Sequence, residues 1–373
     1  MPVQRLVGGA LTVVLLAAVV ALLVRLDPAT VTTSADAGVL VTWTSRGLPD
    51  GFGSAIAELD AVEAVSVVRG DTVNLVASWD GAGTRIDEPP PGMAIPLDAL
   101  AVDPARHAGV LDSAGAAAVA ALTPGEALLG ESSARLRGLQ QGAQLEFDSG
   151  RRVTVAGVVP DDVVAHAEVM MVAPTDEVPT ERFVRLLHTG PRDAVEAAIR
   201  AAGGDAPVNV RGPGEQRVLR HGGSLLPQVT IKERFGEFAY RPASGRLIDQ
   251  DDAWVDQHIQ VTTVPIIGEV ACNRGIIPPL RDAMAELAEA GLARLVDPSD
   301  YAGCYGPRVI SPGQGLSRHA WGIAVDLNAT TNAYGDPPTL DARVVEAMAR
   351  HGFSWGGTWR VPDGMHFEYM GDG

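Results

Sequence analysis

From residue 323 to 327 the side chains alternate, with Ile323, Val325 and Leu327 on one parity and Ala324 and Asp326 on the other. Period two marks a half-buried strand, so three aliphatics face a core while Asp326 points the opposite way, with the small Ala324 leaving room beside it. Residues 365–369 repeat the pattern: Met365, Phe367 and Tyr369 share one face, His366 and Glu368 the other. Gly322 permits a tight turn or close backbone approach between His319 and the first strand. Two neighbouring strands of this kind aim His319, Asp326 and His366 at one point.

Elsewhere the pattern divides the chain. Residues 6–24 are an apolar run without a charge, long enough to span a bilayer, between Arg5 and Arg25. A signal peptide cleaved near Ala35-Asp36-Ala37 is the alternative; the length of the run, and Arg25 directly behind it, favour an uncleaved transmembrane anchor. Balanced flanking charges barely decide its orientation. The expected organisation is an anchor at 1–27, a polar tether at 28–37, an extracytoplasmic domain at 38–204, a Gly-, Pro- and Arg-rich linker at 205–228, and a second domain at 229–373.

Within 38–204, strand patterns fall at 39–43, 65–68, 73–78, 144–147 and 152–159. A helix is expected at 192–202, opened by Pro191 and stopped by Gly203-Gly204. Glu88-Pro89-Pro90-Pro91-Gly92 predicts an exposed loop. Within 229–373, a helix is expected at 278–290, with Leu280, Met284 and Leu287 inward and Gly291 as its stop. A second runs from about 340 to 351, capped by Thr339 and ended by Gly352, with Leu340, Val344 and Met348 inward. His351 then sits in its last turn, where it suits the helix dipole. The fold class is α+β in both domains, behind an N-terminal transmembrane helix.

Composition narrows the function. The 373 residues have room for two domains, and the net charge of −17 with no Lys/Arg cluster excludes a nucleic-acid partner. The two cysteines, Cys272 and Cys304, belong to no Cys-x-x-Cys pair, so a cysteine zinc site is excluded. One disulfide, implying an oxidising exterior, is the simpler reading; two buried free thiols are the alternative. His107, His166 and His188 are dispersed and read as surface histidines, so 38–204 shows no catalytic cluster. Its expected role is partner binding or spacing.

Two histidines and one acid with an open fourth position is the donor pattern of a catalytic zinc site. Asp363, three residues before His366, is placed to stay outside the ligand set and take a proton from the attacking water. Spacing alone leaves an ordinary set of surface and core residues open as the alternative.

The motif Ser317-x-His319-x-x-Gly322-x-Ala324-x-Asp326, followed by Trp355-Gly356-Gly357-x-Trp359 and Asp363-x-x-His366-Phe367-Glu368, resembles the zinc D-alanyl-D-alanine carboxypeptidase superfamily. That group includes vancomycin-resistance D,D-peptidases and phage L-alanyl-D-glutamate endolysins, and the resemblance covers roughly 229–373. It implies a C-terminal α+β zinc-peptidase domain with a small antiparallel sheet. His319, Asp326 and His366 match the zinc ligands and Asp363 the catalytic base. Many relatives carry Glu at that base; Asp places this chain closer to the endolysin-like branch. Arg308, in Gly303-Cys304-Tyr305-Gly306-Pro307-Arg308, matches the arginine that stabilises the intermediate, although its surroundings depart from the Tyr-Arg-Ser form of relatives. Ser317 is expected to bind substrate or brace the ligand loop, Trp359 to flank the site, and Glu368 to lie behind the ligands.

Residues 96–161 resemble the extracytoplasmic core of MacB/FtsX-type transporter permeases. The resemblance is carried by Leu128-Leu129-Gly130-Glu131, Gly142-Ala143-Gln144-Leu145 and the strand at 153–159 before Pro160. It implies a membrane-protein partner for 38–204. The expected whole is a single-pass membrane protein whose extracytoplasmic zinc metallopeptidase hydrolyses peptidoglycan stem peptides. The alternative is a non-cleaving module of the same fold that binds wall peptides or a partner.

Overall fold

The computed structural model describes residues 38–44, 47–111, 113–212, 215, 226–310 and 315–371. The anchor and tether expected at 1–37 lie outside them. Among the described residues no helix is long and apolar enough to cross a membrane.

The first half is a mixed sheet with helices packed on it. Its described strands are β1 (Gly38–Trp43), β2 (Val62–Trp79), β3 (Ile95–Ala101), β4 (Glu126–Gly130), β5 (Gln144–Phe147), β6 (Arg152–Val159), β7 (Val169–Met171), β8 (Glu181–His188) and β9 (Asn209–Arg211). They run in the order β3-β7-β4-β6-β5-β2-β8-β1-β9, and β2 also pairs with β3, so six of them close into a ring. The ring encloses Leu75, Leu97, Leu129, Leu145, Phe147 and Met171. Two helices, α1 (Phe52–Ala57) and α5 (Arg192–Ala202), cover the wing β8-β1-β9 through Phe52, Ile56, Val195 and Ile199. Further helices are α2 (Pro104–Ala108), α3 (Ser113–Ala120) and α4 (Glu131–Arg137).

Several expectations change here. The strand patterns at 65–68 and 73–78 belong to one 18-residue strand, β2. Gly70 does not turn the chain. A Cβ there would lie 2.5 Å from the Arg182 side chain and 3.0 Å from Leu100, so its absence lets a neighbour pack close. The stretch read as a linker is partly structured: β9 pairs with β1, matching Val41 with Arg211.

Two of the three histidines read as surface residues are buried. His107 is 1% and His188 3% exposed, and His166 is half-buried with a left-handed backbone, φ 59°. The His107 ring nitrogen Nδ1 lies 2.9 Å from Ser66 Oγ. Burial, with Arg185 nearby, pushes its pKa down to about 4 from 6.5. A depressed folded-state pKa means the unfolded chain takes up this proton first, so stability present above pH 6.5 is lost as pH falls towards 4. The loss should be on the order of 2–3 kcal/mol. Unfolding measured from pH 7 to 4.5 should show it, and His107→Asn should flatten that dependence; an unchanged slope in the variant would rule out this histidine as the cause.

The second half opens with α6 (Gln228–Phe235), followed by the hairpin β10 (Tyr240–Pro242) and β11 (Ile248–Gln250), α7 (Asp252–His258), the hairpin β12 (Ile259–Val264) and β13 (Gly268–Asn273), and α8 (Ile277–Glu289). Then come β14 (Ala324–Asp326), α9 (Ala342–Arg350), β15 (Phe353–Trp355) and β16 (His366–Tyr369), with β16 central in an antiparallel sheet, β14-β16-β15. Leu280, Met284 and Leu287 of α8 and Val344 and Met348 of α9 bury against Val325 and Phe367. Gly291, at φ 70°, follows α8 as a left-handed stop. The cap of α9 is Asp341, whose Oδ1 accepts from Arg343 N at 2.9 Å. Thr339, expected there, instead donates its N–H to Asn332 Oδ1 at 2.8 Å. The imidazole of His351 reaches across to Glu286 of α8 at 2.9 Å.

The halves meet through a buried charge cluster. Lys232 of α6 lies 2.7 Å from Glu168 and 2.8 Å from Glu237. Arg137 of α4 lies 3.2 Å from Glu168 and also pairs with Glu237. The side chains of Lys232 and Glu168 are fully buried. Gln228 Nε2 donates to Glu168 Oε2 at 2.9 Å and to Pro96 O at 3.0 Å. Burial opposes the charge of Glu237, but Lys232 and Arg137 hold its pKa down to about 2.

Candidate metal centre and catalytic site

The β14–β16 register pairs Asp326 with His366 and Ala324 with Glu368, which puts all four on one face. Val325, opposite Phe367, fills the other face with the core. His319 arrives from a 3-10 turn, Arg318–Trp321, that packs above β14. Ser317 caps this turn, its hydroxyl accepting from His319 N at 3.3 Å. Gly322 ends it at φ 65°, a left-handed position that costs glycine little.

These elements bring the three expected donors together. His319 Nε2 lies 3.1 Å from Asp326 Oδ2 and 3.3 Å from His366 Nδ1, and His366 Nδ1 lies 2.9 Å from Asp326 Oδ1. The three offer ligand atoms that all lie within 4.8 Å of one another, and all three residues are buried. Donors held about 2.0–2.1 Å from a tetrahedral zinc stand about 3.3 Å apart, so these spacings fit that ion.

The opposite ring nitrogens fit it too. His319 Nδ1 is 2.7 Å from Cys304 O, and His366 Nε2 is 3.3 Å from Glu368 Oε1. A carbonyl or carboxylate oxygen accepts, so the proton sits on the outer nitrogen and the inner nitrogen faces the centre. Burial opposes charge on His366, yet Asp326 and Glu368 lift its pKa to about 10. Burial likewise opposes ionisation of Asp326, but the two histidines hold it far below the usual carboxylate range. The donor set therefore stabilises positive charge at its centre, whether proton or divalent cation.

Asp363 stands apart from the donors. Its Oδ1 is buried and has no hydrogen-bond partner. Burial raises its pKa above the usual value, with the charges of His366 and Asp326 acting in opposite senses. Its turn is built by close contacts: a Cβ on Gly356 would lie 2.7 Å from Asp363 O, and Trp355 Nε1 donates to Gly364 O at 2.7 Å.

The Arg308 guanidinium reaches to 4.0 Å from Asp326 Oδ2. Gly306 makes the space for it, since a Cβ there would lie 2.5 Å from Arg308 Nη1. Trp359 tilts over His366 with ring centroids 5.4 Å apart. The site also contains groups that the sequence reading missed. The Cys304 carbonyl is one. Tyr301 is another: its hydroxyl is buried without a partner, and burial together with Asp326 raises its pKa. A main-chain acceptor leaves no trace in side-chain patterning, and Tyr301 is brought here by the main-chain pairing of residues 302 and 303 with Asp326.

The described cysteines form the disulfide Cys272–Cys304. No curated protein matches the chain. Among solved structures, the periplasmic region of MacB from Actinobacillus actinomycetemcomitans is 9% identical over 47% of this chain and 88% of its own, with a TM-score of 0.32. The extracellular domain of the noncanonic ABC-type transporter YknZ from Gram-positive bacteria is 9% identical over 47% of this chain and 100% of its own, with a TM-score of 0.29. Residues 311–369, the stretch carrying Ser317, His319, Asp326, Asp363 and His366, match the family model of the D-alanyl-D-alanine carboxypeptidases.

Proposed function

We propose that the chain is a zinc-dependent peptidase that hydrolyses peptidoglycan stem peptides at a D,D- or an L-Ala-D-Glu bond. One observation carries this reading: His319, Asp326 and His366 converge with both outer ring nitrogens engaged, while the Asp363 carboxylate beside them keeps a buried oxygen free. The donor atoms His319 Nε2, His366 Nδ1 and one Asp326 oxygen would hold the ion. Zinc bound there supplies a Lewis acid for the scissile carbonyl and eases ionisation of the attacking water.

The remaining work falls to side chains. Asp363 takes the proton of the attacking water and delivers it to the leaving amine. Arg308 places its guanidinium where negative charge develops on the carbonyl oxygen. Trp359 offers a half-buried aromatic wall beside His366 for the substrate. Ser317 contributes by capping the turn that carries His319.

An extracytoplasmic location and a membrane anchor at 1–27 are part of the proposal, supported by the apolar run at 6–24 and the disulfide. Residues 38–204 are proposed to meet a membrane-protein partner.

The full chain should carry about one zinc, and His319→Ala and His366→Ala should each abolish it. Metal analysis decides this; full zinc in both variants would sink the ligand assignment. Incubation with defined stem peptides, with products identified by mass, tests the reaction. Peptide binding without any product would return the non-cleaving module.

A further inference from the structure

The proposed peptidase chemistry gives the two cysteines no task, and the family match begins after both of them. Their position is nevertheless specific. Cys304 lies in a strap, residues 301–306, that touches both the His319 and the Asp326 backbone. Ala302 N donates to Asp326 O at 3.0 Å, Asp326 N donates to Gly303 O at 3.0 Å, and Gly306 N donates to His319 O at 2.9 Å. The Cys304 carbonyl itself receives His319 Nδ1 at 2.7 Å.

Cys272 ends up on the other side of the same turn. Its neighbour Asn273 donates its N–H to Gly322 O at 2.9 Å. A Cβ on Gly322 would lie 2.8 Å from that nitrogen and 3.3 Å from the Cys272 carbonyl carbon, so β13 presses directly on the end of the turn. The turn bearing His319 is thus gripped between β13 and the strap. The disulfide is the covalent tie between those two jaws, with Cα atoms 5.4 Å apart and both cysteines buried.

We propose that Cys272 and Cys304 are positioning residues of the metal centre: their disulfide presses the Cys304 carbonyl onto His319 Nδ1, and its loss weakens zinc binding in a folded protein. The inference rests on the zinc reading of the site. The carbonyl fixes the ring plane and keeps the proton on Nδ1, which leaves Nε2 as the donor; partners of this kind are typically worth about 10–100-fold in metal affinity. With the sulfurs separated, the strap keeps only hydrogen bonds, and the carbonyl is free to drift off the ring.

The test compares zinc affinity, by competition with a chromophoric chelator, in full-length wild type and in Cys272→Ala/Cys304→Ala. The double variant should bind about 10-fold or more weakly while keeping wild-type secondary structure. Reduction of the wild type with a phosphine is the parallel arm: the S–S bond takes two electrons and two protons to give two thiols, and the phosphine leaves as its oxide with oxygen from water. Thiol titration reports completion, and the same loss of affinity should follow. Ile199→Ala, in the core under the wing β8-β1-β9 of the first half, should lower stability but keep wild-type affinity.

Wild-type affinity in a folded, disulfide-free protein would overturn the inference, as would an equal loss in Ile199→Ala. If neither disulfide-free form is folded, the bond is a general staple and the inference fails. A wild type that binds no zinc would refute the zinc reading itself.

Discussion

Asp363→Asn should retain zinc, fold and peptide affinity while turnover drops by about 10²–10⁴, the usual worth of a positioned acid–base group. Three observations set this expectation. The carboxylate oxygen Oδ1 is buried and unpartnered, so it has no structural bond to lose. Burial raises its pKa, which brings a carboxylate nearer to the strength a base needs around neutrality. The contact between Gly356 and the Asp363 backbone fixes the turn independently of the side chain, so an amide of the same shape leaves it in place. Asp363→Glu should keep part of the activity, since it retains a carboxylate, at the cost of displacing it by one methylene. The measurement is a hydrolysis rate on a defined stem peptide, beside zinc content and peptide affinity. Unchanged turnover would show that another group acts as base, with Glu368 next in line.

Lys232→Ala should destabilise the protein by about 3–5 kcal/mol, the cost of taking one partner out of a buried ion cluster. Glu168 is fully buried and relies on Lys232, Arg137 and Gln228 for compensation. Removing the ammonium takes the nearest cation from that buried carboxylate, which keeps Arg137, Gln228 and the Asp98 N–H, and leaves Glu237 with Arg137 alone. A neutral pair, Lys232→Met with Glu168→Gln, should recover much of the loss, because uncharged groups of similar volume avoid the desolvation penalty of a buried charge. Denaturant unfolding of the three proteins decides the matter. A loss under about 1 kcal/mol in Lys232→Ala would mean that water or rearrangement compensates Glu168, and that this cluster does not lock the two halves.

The lock also bears on the site. From α6 the chain runs into Gly236, whose carbonyl accepts from Trp321 Nε1 at 3.2 Å, and Trp321 lies in the turn that carries His319. Arg318 of the same turn donates to Leu226 O at 2.7 Å. The first half is therefore connected to the ligand turn through a short path of packed groups, where the sequence suggested only a linker at 205–228.

Local pattern was enough wherever a residue's role followed from its own neighbours. Alternation at 323–327 and 365–369 placed Asp326, His366 and Glu368 on one face, because strand periodicity alone decides which way a side chain points. Glycine and proline punctuation located the helix at Arg192–Ala202, and the apolar stripe of α8 gave its buried residues, because these signals act within a few residues. Tertiary structure decided the rest, where the cause lies far along the chain. The two strand patterns at 65–68 and 73–78 are one strand, β2, and the packing of Arg182 shows why that strand needs glycine at residue 70. Asp341 won the cap of α9 because Asn332 had already engaged Thr339. The buried places of His107 and His188, the cluster around Glu168, and the Cys304 carbonyl on His319 all join residues far apart in the chain, in some cases through main-chain atoms. No side-chain pattern encodes such partners, since they exist only once the sheet has closed and the two halves have met.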